Sequence, residues 1–476
     1  MVAFVATRGL SFLSVLVLAR LLAPNQFGLV AAVLVVLGLL ELGSDLGMKA
    51  SVIYEQERGI TERVQTAFSL GMMISIGLTG LGLLVAPLLS DFFRMDDVTG
   101  LFRLAVLNVA LTGLGNVHDA LLLRDLAFRP RIVTEVVRGL VRAAVSIALA
   151  LAGFGAASLV WGMLAGTFAW DVALWWLTRF VPALRFNLDI ARSMLSYGLA
   201  ASALDALAAI TTRLDAAIIG RVLGERALGL YSIAFRLPEL IIQSVAWNVS
   251  LVVFPALSRQ RVLDREELTP ATLALVRYQA LYAMPLAAGM AVLAPPLVAV
   301  LFSSKWDGAA GVLAAVSVMT AIGATVHPLG DLLKAVGKQW IMVVLNVAMI
   351  PAMIVVIVAA ASAGIVAVGW ARAGSVAVFA LAMVGLTSRL VGVRAAGVAR
   401  AVLPALAASA GVVLGAGAVR LAWPGLSIGP LLAGTAAGAV TGTVLLRLLA
   451  PAAFRGALAQ LSAVARRRTS RPAAPA

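Results

Sequence analysis

The 476-residue chain has no cysteine and only two histidines, His118 and His327. A disulfide framework and a thiolate metal site are therefore excluded, and zinc is left with too few imidazoles. Charge is also scarce: Asp, Glu, Lys and Arg make up 12% of residues, against about 25% in soluble globular domains. The glycine-rich segments show no phosphate-loop or dinucleotide pattern in a strand–turn–helix context. Residues 1–22 lack a basic n-region and a small-residue cleavage site, so no cleavable signal is expected.

What the chain has instead is apolar length. Residues of the AVILMFWYC set account for 62%, well above the roughly 45–50% of soluble domains. A spanning helix needs about 20 mostly apolar residues, which predicts an all-α polytopic membrane protein of about fourteen transmembrane helices. The expected spans are 2–22, 27–48, 65–90, 100–123, 131–152, 156–178, 193–220, 227–257, 271–302, 309–333, 339–361, 364–388, 399–421 and 427–450. Loops between them are short. A net charge of +15 would suggest nucleic acid in a soluble protein, but here its distribution over the loops matters more, and no nucleic-acid partner is expected.

A repeat organises these spans. Arg221-Val-Leu-Gly-Glu-Arg-Ala-Leu-Gly-Leu-Tyr231 aligns without a gap on Arg20-Leu-Leu-Ala-Pro-Asn-Gln-Phe-Gly-Leu-Val30. Each copy reads as a short turn between two apolar runs, with Gly28 and Gly229 opening the second run. The offset matches a six-helix period. The expected organisation is a six-helix lobe over 1–190, a second over 191–390, two further helices over 391–452 and a basic cytoplasmic tail over 453–476, with the lobes around a central cavity.

Positive charge gives orientation. Twenty-three of the 37 Lys and Arg residues fall in loops after even-numbered spans or in the tail, and seven in the odd-numbered loops. The positive-inside rule then puts both termini in the cytoplasm. Seven more lie inside spans: Arg8, Arg138, Arg142, Arg213, Arg236, Arg277 and Arg372. A charge near mid-bilayer costs about 2.5–3.5 kcal/mol on insertion scales, so it faces a partner or water.

Spacing shows which faces are used. Arg131, Glu135, Arg138 and Arg142 are 4, 3 and 4 apart and form one stripe. Arg142 lies roughly 16 Å beyond Arg131 at about 1.5 Å per residue, close to midplane and too deep for easy snorkelling. Guanidinium groups stay charged and bind phosphate in bidentate fashion, so the ladder reads as an anion path, against the alternative of a snorkelling Arg138 with a Glu135 ion pair. Shorter stripes join Asn108, Thr112, Gly115 and Asp119; Gly38, Glu41 and Asp45; Arg236, Glu239 and Gln243; and Asp205, Thr212 and Arg213. Taken singly, each is explained by an interhelical tie; together they suggest a hydrated cavity. His327, Asp331, Lys334 and Lys338 form a further stripe whose basic end lies at the cytoplasmic boundary. Trp170, Trp175 and Trp176, beside Asp171 and Arg179, read as an interfacial belt.

Four segments carry a family resemblance: LVLARLLAPNQFGLVAAVLVVLGLLELGSDLGM, LDAAIIGRVLGERALGLYSIAFRLPEL, VVFPALSRQR, and LFSSKWDGAAGVLAAVSVMTAIG running into LLKAVGKQW. In content and order they resemble the Wzx-type oligosaccharide-lipid flippases of the multidrug/oligosaccharidyl-lipid/polysaccharide exporter superfamily. The resemblance implies twelve plus two helices in the bacterial inner membrane. It also implies passage of a polyprenyl-pyrophosphate-linked oligosaccharide to the outer leaflet by alternating access, for surface polysaccharide synthesis, alongside a polymerase or other assembly proteins. It transfers no fixed site. Arg8, Arg138, Arg142, Arg213 and Arg236 are the substrate-binding candidates chosen by periodicity, and Glu41, Asp45, Asp119 and Glu239 the candidates for coupling to a proton or sodium gradient. No catalytic residue, metal or other cofactor is expected. Two alternatives remain: a cation-coupled multidrug antiporter of the same superfamily, which would favour an acidic, aromatic cavity where these spans carry a basic excess, and a polysaccharide polymerase or ligase, which would carry a large extracytoplasmic loop where the odd-numbered loops are short.

Charge asymmetry generates the first prediction. A reporter fused after Ala476 is expected to be active in the cytoplasm and silent in the periplasm; periplasmic activity would reverse the assigned orientation.

Overall fold

The computed structural model describes residues 2–45, 48, 52, 60–183, 186–263, 268–456 and 459; side chains at 2–8, 45, 60, 196–212, 251–252, 254–256, 258 and 260–263 are outside the description. Among the described residues there is no strand. The helices are α1 (Val2–Leu21), α2 (Pro24–Asp45), α3 (Ile60–Phe93), α4 (Val98–Arg124), α5 (Phe128–Leu151), α6 (Ala157–Thr178) and α7 (Leu188–Ala234). A turn at Arg236–Pro238 and a π-helical stretch at Glu239–Gln243 lead into α8 (Ser244–Leu263). There follow α9 (Leu268–Val292), α10 (Ala294–Leu301), a 3₁₀ turn (Ser304–Ala309), α11 (Ala310–Ala335), α12 (Trp340–Ala361), α13 (Ile365–Val391), α14 (Ala395–Ala422) and α15 (Ile428–Leu449).

Hydrocarbon offers backbone groups no hydrogen-bond partners, so only self-satisfied helices or closed barrels span it. Hydroxyl side chains obey the same rule here: Thr79, Thr320 and Thr387 donate back to the carbonyls of Ser75, Val316 and Met383 at 2.7 Å each. Among the described residues, nine helices are long and apolar enough to cross a membrane, or up to ten if a bent pair counts as one span. The protein is multi-pass. Helix α5 is not among the nine because Glu135, Arg138 and Arg142 interrupt its apolar run.

Two expected spans are interrupted. The stretch 271–302 is not one rod: α9 and α10 meet at Leu293 with a 76° bend. Pro295 and Pro296 open α10; without N–H groups they suit a helix start, and a continuing helix would leave carbonyls unbonded there. The stretch 227–257 is divided by the π-helical residues that follow Pro238. Within α7 the break falls at Gly224 (φ 81°, ψ −176°), inside the second copy of the repeated turn. That dihedral pair is accessible to glycine alone at low cost.

The helices group into two compact units: Met1–Ser232 with Ile357–Ile365, and Ile233–Val356 with Val366–Ala476. In the first, the two turn copies meet. A Cβ on Gly28 would collide with the Glu225 carbonyl, and one on Gly229 with the Pro24 carbonyl. In the second, Val276 of α9, Leu329, Leu332 and Leu333 of α11, Met383 of α13 and Val398 of α14 form a buried core. Helices α14 and α15 close on a small-residue seam: Gly411 and Gly415 face Thr441, Gly442 and Ala437, and the Thr441 hydroxyl donates to the Gly411 carbonyl at 2.6 Å. Such seams let backbones approach where no hydrophobic force drives helices together.

The crossing at Gly28 and Gly229 is expected to tolerate no side chain. Gly28→Ala and Gly229→Ala should each destabilise the protein by about 1–3 kcal/mol, the range of overpacked cores. Gly77→Ala, where a Cβ meets nothing within 4 Å, is the control in a thermal-denaturation assay in detergent.

Candidate functional site

The ladder residues occupy one sector of α5, and the lipid-type flank is elsewhere. Val133, Leu140 and Leu151 are 54%, 50% and 69% exposed, and at 3.6 residues per turn they stand about 180° from Arg131, Arg138 and Arg142. Arg142 itself is exposed and lies near the middle of this 24-residue helix. A guanidinium exposed at that depth, on the side opposite the apolar flank, calls for water on that face.

Glycines on α6 set the ladder's position. A Cβ on Gly166 would lie 2.9 Å from both the Arg138 carbonyl oxygen and the Arg142 Cβ, and one on Gly162 2.8 Å from the Arg142 carbonyl. The α6 backbone therefore seats directly on this stretch of α5. Each arginine then finds different surroundings. Arg131 Nε donates to Asp119 Oδ1 on α4 at 2.7 Å. Arg138 turns onto α6, with its guanidinium carbon 5.0 Å from the Trp170 ring centroid and a long 3.4 Å hydrogen bond to Thr167 Oγ1. Arg142 is the exposed member of the three.

The other predicted residues are placed as follows. Arg213 reaches from α7 to α2, donates to the Leu34 carbonyl, and fills the space that a Cβ on Gly38 would take. Gly38 is thus a notch for this arginine, not part of a polar stripe. Glu41 accepts from Asn108 Nδ2 at 2.7 Å, tying α2 to α4. Asn108 and Asp119 are only 1% and 3% exposed, so these two positions of the α4 stripe are packed in this structure. Arg236 and Glu239 pair at 3.7 Å with both side chains partly exposed. The side chains of Arg8 and Asp45 lie outside the described residues, as do those of Asp205 and Thr212. Asp215 accepts from the Tyr231 hydroxyl at 2.7 Å, and Asp331 from the Ser250 hydroxyl at 2.5 Å. The structure pairs Asp119 with Arg131 and Glu41 with Asn108, turns Arg138 onto α6, and sets Arg213 against α2.

Trp170 and Asp171 depart from the interfacial reading. Trp176 is 77% exposed, as a belt residue should be, but Trp170 and Asp171 are 2% and 4% exposed. Their face of α6 is the one bearing Gly166, Thr167 and Leu174, all buried. The i, i+4 spacing from Thr167 to Asp171 was the signal that could have assigned them to the arginine side.

Residues 17–311 match the family described as "Polysaccharide biosynthesis protein". The chain is 30% identical to the succinoglycan biosynthesis transport protein ExoT of Rhizobium meliloti, over 70% of this chain and 67% of that one. It is 25% identical to the lipopolysaccharide biosynthesis protein WzxC of Escherichia coli, over 70% and 68%. In fold it is similar to an inward closed conformation of the lipid II flippase MurJ, with a TM-score of 0.77 at 12% identity, covering 94% of this chain and 98% of that one. An inward-facing multidrug resistance MATE family transporter of the MOP superfamily aligns at a TM-score of 0.65 and 15% identity, over 82% and 94%.

The different surroundings along α4 and α5 can be read chemically. The natural chain has no cysteine, so Arg142→Cys, Asn108→Cys and Asp119→Cys each carry a single thiol. A membrane-impermeant thiol reagent is expected to label position 142 and to leave 108 and 119 protected.

Proposed function

Because the chain belongs to the polysaccharide biosynthesis protein family, matched over residues 17–311, we propose that it flips a polyprenyl-pyrophosphate-linked oligosaccharide across the bacterial inner membrane by alternating access. The glycan is destined for a surface polysaccharide, and the protein acts as a transporter, without catalysis. The observation that carries this reading is the exposed Arg142 on the ladder face of α5, opposite the apolar flank.

A pyrophosphate loses its water on entering a membrane, and fixed cationic donors must replace it. Arg142 offers a permanently charged, planar fork at mid-span, with Arg138 one turn toward the cytoplasm. The polyprenyl tail needs no such help and stays in lipid. In this reading the termini face the cytoplasm, the fourteen spans form two six-helix lobes with an added pair, and the protein works beside a polymerase or other assembly proteins. Arg213 and Arg236 serve the path less directly, since one is held by a backbone carbonyl and the other by Glu239. Proton or sodium coupling belongs to the same proposal, with Glu41 and Glu239 as carboxylates that are not deeply buried.

Export of the glycan, measured together with protein abundance in the membrane, tests this. Arg142→Glu should abolish export at normal abundance, by setting like charge against the substrate. Arg142→Lys should retain partial export, lower by about tenfold if one charge-assisted hydrogen bond worth ~1.5 kcal/mol is lost. Full export by a stably inserted Arg142→Glu variant would sink the anion path.

A further inference from the structure

Asp171 is buried to 4% exposure on α6, and neither of its carboxylate oxygens accepts a hydrogen bond. The adjacent Trp170 Nε1 is likewise buried without an acceptor. A carboxylate held in this way, with no donor on either oxygen, leaves two buried acceptors unmet. No space is left for water to relieve it from α4, because a Cβ on Gly115 would already collide with Asp171 Oδ1 and the Trp170 ring.

Two helices pack against α6: α4 carries His118 and Asp119, and α5 carries Glu135, Arg138 and Arg142, of which Arg138 and Arg142 lie against Gly166. Asp119 is occupied by Arg131, and His118 Nδ1 by Thr178 Oγ1 at 2.7 Å. Arg138 is the cation poised to move. Its hold on Thr167 is long, at 3.4 Å, and its other contact is the Trp170 ring face. Thr167 and Asp171 are one helical turn apart on the same face of α6, so a change of arginine rotamer carries the guanidinium from one to the other.

We propose that Asp171 is a proton-binding site that governs Arg138: protonated in this structure, it leaves the guanidinium on Trp170 and Thr167, and on ionising it draws the guanidinium to itself. The step releases one proton from the carboxyl to water and leaves one negative charge on Asp171. Arg138 stays protonated throughout. The charge that Arg138 presents to an anion is therefore available at low pH and cancelled as pH rises through the ionisation of Asp171. That consequence for transport rests on the reading of Arg138 as part of the anion path; the proton on Asp171 does not.

Infrared difference spectra and tryptophan fluorescence of the full chain in lipid nanodiscs test it across pH. The wild type should show a protonated-carboxyl band that is lost in Asp171→Asn and shifted in Asp171→Glu, a variant that keeps the acid should the amide impair folding. Fluorescence should change with pH as the guanidinium leaves the indole, and that change should vanish in Asp171→Asn and in Trp170→Phe. A carboxyl band unaltered by both substitutions at position 171, or a pH response that survives in a folded Asp171→Asn, would overturn the proposal. Export by Arg138→Gln separates the two ideas: undiminished export with the Asp171 band intact removes Arg138 from the anion path and leaves the proton site standing, whereas lost export at normal abundance supports the anion path.

Discussion

The closest constraint in the first compact unit is the contact of two backbones at Gly28 and Gly229. Van der Waals packing drives helix association in lipid, and its yield rises steeply as backbones approach. Once α2 is pressed on the second arm of α7, its next turns run along the first arm, where Gly38 receives Arg213. Arg213, about eleven residues before the Gly224 break, then has a backbone carbonyl of α2 for a partner. The crossing and the notch are two parts of one interface. The first brings the helices together, and the second makes their approach compatible with a buried charge.

Polar groups in this protein fall into those that hold helices and those left for work. Glu41 with Asn108, Asp119 with Arg131, and Arg213 with Leu34 each tie one helix to another. Such ties are modest in energy, around 0.6 kcal/mol on average where measured in membranes, but they fix rotation about the helix axis. Rotation in turn decides which face of α5 is turned from lipid. Arg131 is turned onto α4 by Asp119, and Arg142, three turns further along, is exposed.

Much of this was legible in the sequence. Apolar length marked the helices, and the echo between residues 20–30 and 221–231 marked two turns that the structure brings into contact. The 4-3-4 spacing of Arg131, Glu135, Arg138 and Arg142 placed them on one face. Spacing does not name the neighbour across that face, however. Gly38 therefore read as part of a polar stripe when it is the room left for Arg213, and Asn108 read as wet when it is bonded to Glu41. Trp170 and Asp171 were grouped with Trp176 by proximity along the chain, although a 100° step per residue turns one set inward and the other outward. The break at Leu293 was hidden by hydropathy, which registers Pro295 and Pro296 only weakly.

The π-helical residues Glu239–Gln243 hold one residue more per turn than an α-helix does. Their extra carbonyls are not idle: the Glu239 carbonyl accepts from the Ser244 hydroxyl at 2.9 Å, and that of Ile241 from the Tyr282 hydroxyl of α9. Moving such an insertion along a helix, or expelling it, turns everything beyond by about 100° and advances it by about 1.5 Å. For Ser244–Leu263 such a shift would be a screw motion with a fixed step, and the hydrogen bond from Tyr282 to Ile241 would have to break for it to occur.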